Sequence, residues 1–335
     1  MSDKLQFGVN VNTRAPIIFP ESYPPSRMYE LAEEAENLGF DSVWSADNFF
    51  EKARVESTTT LAACIARTKR VTLSTASFIL TVRNVVWMAL TWASLDQLSG
   101  GRMILTVCVG GGSPEAGGIR PDTQYRYLGI PYNKRGIYME EQIKLIRRLW
   151  LEPEVTHKSD LPFHTMDGIR VDVRPVQKPI PIWISNNPQI FPVKPHVKER
   201  MMRRVGELAD GWQTCTATPE EFKDLFDMVR GYAKDAGRNP DDITGGYHLT
   251  CGLRENGPQA RREALEFLNK YYVTEFTDLS QSMWNRDPFG TPDDAIRNIE
   301  GLAEAGCRHF CVRFATQDQF GQMRLFAEKV LPRFK

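Results

Sequence analysis

An excess of charge of either sign is missing from this 335-residue sequence: 42 lysines and arginines face 42 aspartates and glutamates. Nothing therefore marks it for nucleic acid or an anionic membrane surface, and a small-molecule ligand is the expectation. Long apolar runs are missing as well, with no stretch reaching the ~18 residues of a membrane span. The opening MSDKLQFGVN has no apolar region before its first charges, so a soluble, unexported, cytoplasmic protein is expected. The six cysteines include no C-x-x-C pair and the five histidines no H-E-x-x-H. Reduced packing cysteines are predicted, and no protein-held metal. No G-K-[ST] follows the glycine-rich VGGGSPEAGG, which excludes a Walker loop, and no strand-turn-helix dinucleotide fingerprint is present.

What is present is alternation. Short β-rich runs at 5–12, 42–47, 71–77, 103–109, 181–186, 211–215, 245–253 and 309–314 alternate with amphipathic segments at 26–38, 57–67, 84–98, 133–150, 198–209, 219–236, 258–272 with 292–305, and 316–330. Eight strands, each followed by helix, predict an α/β fold of the (β/α)8 TIM-barrel kind. Insertions fall in the loops after strands 4 and 7 (110–132 and roughly 254–291), which suggest lids, and before strand 5 (151–180), on the opposite face. Neither 151–180 nor 273–290 has linker composition, so residues 1–335 read as one domain.

In such a barrel the chemistry sits where strands end. That collects Asn10, Asn12, Asp47, Asn48, Ser77, Gly110 to Gly112, Ser185 to Asn187, Thr214, Arg254 and Arg313, a polar ring nearly free of bases. Ser185, Asn186 and Asn187 could offer hydroxyl, amide and backbone N–H groups to a phosphate, and Asn-Asn-Pro is equally an ordinary turn. Phe19, Phe49, Phe50 and Phe78 near strand ends suggest a small, mostly apolar substrate, with Arg254 or Arg313 available for an acidic group. The helix over 84–98 is apolar on nearly every side; a homodimer interface would cover its second face.

Taken together, AEEAENLGFDSVWSADNF, LDQLSGGRMILTVCVGGG, GIPYNKRGIYMEEQIKLIRRLW, KPIPIWISNNPQ, ELADGW and GTPDDAIRNIEGLAEAGCRHFCVRF resemble, in order and spacing, the bacterial luciferase-like family of flavin- and deazaflavin-dependent oxidoreductases. The resemblance implies a barrel that holds reduced FMN, or in one branch a deazaflavin, in its mouth. It places the cofactor phosphate on Ser185, Asn186 and Asn187. It sets the ring against Asn10, Ser77 and Gly110, with Tyr132 and Arg135 close by, and leaves Arg102 of SGGR structural. Many relatives carry an acid followed by histidine where this chain has Asp47 and Asn48. Asparagine is no general base, which points to an FMNH2-dependent two-component monooxygenase using O2 and a separate flavin reductase. Asn48 would hydrogen-bond the flavin and Asp47 would orient it or stay structural. The alternatives are a deazaflavin-dependent hydride-transfer enzyme and a non-catalytic flavin-binding barrel.

Overall fold

The computed structural model describes residues 4–48, 52–110, 123–161, 164–190 and 193–335. Among the described residues the central sheet has ten strands, eight of them the parallel barrel strands β1 (Gln6–Val11), β2 (Ser42–Ser45), β3 (Thr72–Thr75), β4 (Leu105–Cys108), β5 (Ile182–Ser185), β6 (Gly211–Thr214), β7 (Thr244–Leu253) and β8 (His309–Phe314), the others the two-residue Phe78–Ile79 and Phe289–Gly290. Their order, β3-β2-β1-β8-β7-β6-β5-β4, returns on itself. Leu73 bridges Met103, and the two-residue strand Phe78–Ile79 pairs with Val107 and Cys108 of β4. The third strand, read as continuous over 71–77, is thus interrupted after Thr75, beside a cis Ala76–Ser77 peptide.

The longer helices among the described residues are α1 (Ser26–Asn37), α2 (Ser57–Arg67), α3 (Val85–Ser99), α4 (Arg135–Leu151), α5 (Pro195–Leu208), α6 (Pro219–Asp235), α7 (Gly257–Tyr272), α8 (Pro292–Glu304) and α9 (Gln319–Lys329). Two start where the sequence writes a capping box, TPEE at 218 and TPDD at 291. Thr218 accepts from the Glu221 N–H at 3.2 Å and Glu221 from the Thr218 N–H at 3.0 Å. Thr291 and Asp294 repeat the exchange. Each box satisfies two otherwise orphaned helix-end donors. The 151–180 segment, given no strands from sequence, carries an antiparallel pair, Val155–His157 with Met166–Ile169. It precedes β5 and so lies away from the strand ends that form the mouth. Arg102 is structural as expected, its guanidinium bonded to Thr68, Val71 and Ser99 carbonyls at 2.7–3.0 Å.

Alternate residues of each strand point into the barrel. At the lower level Trp44 of β2 and Trp183 of β5 meet with centroids 5.7 Å apart, and both face the His309 ring edge-on at 5.2 and 5.5 Å. Ser42 Oγ accepts from Trp44 Nε1 at 2.7 Å and shares a second hydrogen bond with His309 Nε2, also at 2.7 Å. Two indoles fit only because the facing positions lack side chains: a Cβ on Gly8 would sit 2.0 Å from Ser42 Oγ, and one on Gly211 2.4 Å from Trp183. This plug closes the barrel, so only the level above it is free for chemistry.

Candidate active site

Directly above the plug, Asn10 of β1 and His248 of β7 meet across β8, Nδ2 to Nε2 at 3.2 Å. An amide nitrogen can only donate, so His248 Nε2 accepts and its proton sits on Nδ1. Burial, with Arg313 adding to it, pushes this histidine down to about 3, so the ring is neutral. Burial likewise holds His309 at about 4. His248 also stands edge-on to Trp284, 5.9 Å away.

Asp47 does not face the mouth. Arg83 Nη1 and Nη2 donate to its two oxygens at 2.7 and 2.8 Å, Ser57 Oγ adds a bond at 3.0 Å and the Ile79 N–H another at 2.9 Å. The carboxylate ties the end of β2 to the start of α2 and to the turn after the third strand. Asn48 follows it, half-buried. Phe78, expected near the substrate, is core: it packs edge-on to Trp92 with the Arg83 guanidinium over its other side at 4.1 Å. Phe49, Phe50, Gly111 and Gly112 lie outside the described residues. Arg254 is committed to Glu263 at 2.8 Å.

On the β3–β4 side, Ser77 is half-buried, while Gly110 adopts φ +62°. A Cβ at Gly110 would meet Ile79 at 2.4 Å and the Tyr125 hydroxyl at 2.9 Å, so glycine is required. Tyr125 donates to the Val109 carbonyl and stands edge-on to Tyr132. Arg135 covers the Tyr132 ring at 3.5 Å; its Nη1 is buried without a partner, and burial lowers its pKa.

On the β5–β6 side, the side-chain oxygens of both asparagines turn inward. Asn186 Oδ1 accepts from Trp212 Nε1 at 3.1 Å; Asn187 Oδ1 accepts from Thr214 Oγ1 and the Cys215 N–H, both at 3.0 Å. These bonds fix the turn after Ser185. Gln213 Nε2, next to it, is buried with no acceptor.

The β8 side leaves little local signal in the sequence. Arg313 reaches Tyr272 Oη at 2.7 Å and Thr250 Oγ1 at 2.9 Å and lies 4.3 Å from the Trp284 ring centre. Arg14, just past β1, covers Tyr271 at 5.6 Å, and Lys52 covers Tyr272 at 4.4 Å. Only Arg313 was expected here; parity along β8 identifies it, whereas no local pattern links Arg14, Lys52, Tyr271, Tyr272 and Trp284.

The family model for luciferase-like monooxygenases matches residues 5–309. A protein of Intrasporangium calvum named as an F420-dependent glucose-6-phosphate dehydrogenase is 32% identical, covering 93% of this chain and 96% of its own. Its namesake from Amycolatopsis mediterranei is 25% identical over 94% and 96%. In fold, the chain is similar to an F420-dependent secondary alcohol dehydrogenase solved with an F420-acetone adduct, with TM-score 0.75, 22% identity and 99% of each chain covered. The two F420-dependent sequence relatives overturn the expectation of an FMNH2-dependent two-component monooxygenase. That expectation took the histidine missing at Asn48 to mean that no side chain handles a proton; the fold carries His248 into the mouth from another strand.

Proposed function

We propose that this chain, which belongs to the family of luciferase-like monooxygenases, is a deazaflavin-dependent oxidoreductase that moves a hydride between F420 and a small-molecule substrate. The observation that carries the reading is the full-length likeness to F420-dependent dehydrogenases, at 32% identity in one of them. Buried donors in the mouth without acceptors, Gln213 Nε2 and Arg135 Nη1 among them, fit a ring system rich in carbonyl oxygens and ring nitrogens. When bound, the deazaflavin supplies or accepts the hydride.

The chain's own residues have three tasks. Asn10, Ser77 and Gly110 hold the ring, with Tyr132 and Arg135 flanking it, and Ser185, Asn186 and Asn187 take the cofactor phosphate at the turn their inward bonds preform. Asn48 supplies a neutral hydrogen bond beside the ring, and Asp47 is a positioning residue that sets the strand end on which Asn48 stands. His248, neutral and oriented by Asn10, is the side chain we assign to the proton at the substrate oxygen. With a pKa of about 3 and its Nε2 accepting from Asn10, the ring acts as a neutral Nδ1–H donor to that oxygen rather than as a base.

Titration with F420 and FMN tests this. F420 is expected to bind at least roughly tenfold more tightly, ~1.4 kcal/mol, and the reduced form to be reoxidised by a ketone or aldehyde substrate rather than by oxygen. Equal or tighter FMN binding would overturn the reading.

We further infer that α3 is a homodimer interface. Its inner face, including Met88, Ala89, Trp92 and Leu95, is buried, but Trp87 is 73% and Leu98 69% exposed, and Leu90, Val173 and Val176 are exposed as well. Contiguous apolar surface of this kind marks an interaction site. Sedimentation should show twice the 38.2 kDa chain mass and Trp87→Glu should return the monomer; a monomeric unmodified protein at micromolar concentration rules it out.

A further inference from the structure

The β8 side of the mouth gathers buried hydrogen-bond donors that the chain itself leaves without acceptors. Asn12 Nδ2, Arg14 Nε, Arg313 Nε and Trp284 Nε1 are all buried with no partner, and the four residues are between 2% and 6% exposed. Among the described residues no carboxylate ion-pairs with Arg14, Arg54 or Arg313; Arg14 has only a 3.5 Å contact to the Ala53 carbonyl, and Arg54 a 3.3 Å bond to that of Lys52. The acid that Arg313 feels, Asp287, accepts from the Thr250 N–H at 3.2 Å and is pushed by burial to about 7, so it carries a partial charge at neutral pH. Tyr271 registers the imbalance: burial alone would raise its pKa, yet Arg54, Arg313, Arg14 and Lys52 together bring it below the ordinary value. Guanidinium groups buried without a counter-charge are costly and are kept where a ligand supplies the charge.

We propose that Arg14, Arg54 and Arg313, backed by Tyr271, Tyr272 and Trp284, form a subsite that takes an anionic group of the substrate, a carboxylate or a phosphoryl. The fork geometry of guanidinium suits both. This rests on the hydride-transfer reading, since it concerns the substrate half of that site. The cofactor phosphate is assigned to the turn after β5, whereas this subsite is built from the β1 and β8 ends, the segment between β2 and α2, and the end of α7 with the loop that follows it.

The full chain is titrated with inorganic phosphate and, separately, with acetate, with and without F420, following tryptophan fluorescence; Trp284 beside Arg313 is the reporter. A saturable response to at least one anion, kept when F420 is bound, is expected. Arg54→Gln and Arg14→Gln should each weaken it by about tenfold or more while F420 binding persists. Unliganded Arg14→Gln should melt above the unmodified protein, because a buried unmatched charge is gone; a merely structural arginine would give the opposite. Response to phosphate alone identifies a phosphoryl substrate, and to acetate alone a carboxylate. No saturable response, or one that neither substitution alters, overturns the proposal. Loss of the response on adding F420 also overturns it, by assigning the arginines to the cofactor, and leaves hydride transfer intact. An intact anion response with no F420 binding removes the hydride-transfer reading instead.

Discussion

Replacing Arg83 with methionine is expected to destabilise the protein by about 3–5 kcal/mol, the cost of stranding a buried carboxylate. Asp47 is 2% exposed at its side chain and Arg83 17%, so water cannot substitute for the lost guanidinium. The two Arg83 bonds at 2.7 and 2.8 Å are bidentate, and the same guanidinium donates to the Ile79 carbonyl at 3.0 Å. Gln142 of α4 in turn donates to the Arg83 carbonyl at 2.9 Å. Removing the arginine side chain therefore loosens β2, the third-strand turn and α2 together. Urea unfolding measures the loss, and the double variant Asp47→Leu/Arg83→Met should recover much of it, since an apolar pair leaves no charge behind. A loss below about 1 kcal/mol would mean the pair behaves as a surface bridge.

Acid is expected to unfold the protein well before its surface carboxylates are protonated. His248 and His309 stand at about 3 and about 4 in the folded chain against 6.5 in an unfolded one. Below pH 6.5 the unfolded chain binds protons that the folded chain refuses, so stability is full above that pH and is lost as pH falls toward the folded values. A tenfold difference in proton affinity between the two states is worth ~1.4 kcal/mol, so each histidine accounts for several kcal/mol. Asp287 works the other way: held at about 7 against 3.8, it keeps a proton that the unfolded chain has released, and that contribution disappears as pH rises toward 7. Two histidines against one aspartate, with buried His164 also held below its ordinary value, leave a net slope of ~1.4 kcal/mol per pH unit or more between about pH 4 and 6.5. Urea midpoints across this range should show it. Asp287→Asn should steepen the slope and His248→Gln flatten it; an unchanged slope in both would remove these groups as its source.

The elements were legible because each carries a local signal. The two capping boxes fix the starts of α6 and α8, and the helix read over 57–67 is found at Ser57–Arg67. Strand ends gave the mouth its outline, including Arg313. Less legible was what each polar end does once folded, because that depends on partners far along the chain. Asp47 meets Arg83 36 residues away, and Asn10 meets His248 at a separation of 238. A ring with few bases at the strand ends suggested chemistry left to the cofactor, whereas His248 lies five residues before the end of β7, at a position a strand-end rule passes over. Arg14 was missed for a similar reason, sitting two residues beyond Asn12 and meeting Tyr271, 257 residues further along the chain.

The strand order has a consequence for how the chain comes to be folded. β8 lies between β1 and β7, pairing Gln6 with His309 and Gly246 with the same residue. During synthesis β1 is therefore made first among the strands and waits for its second neighbour until the last strand has left the ribosome. Throughout that interval its backbone presents an open sheet edge, and such non-local pairings close slowly. The nascent chain depends on early local partners, β2 and α1 beside β1, to keep that edge from meeting another copy before its own β8 arrives.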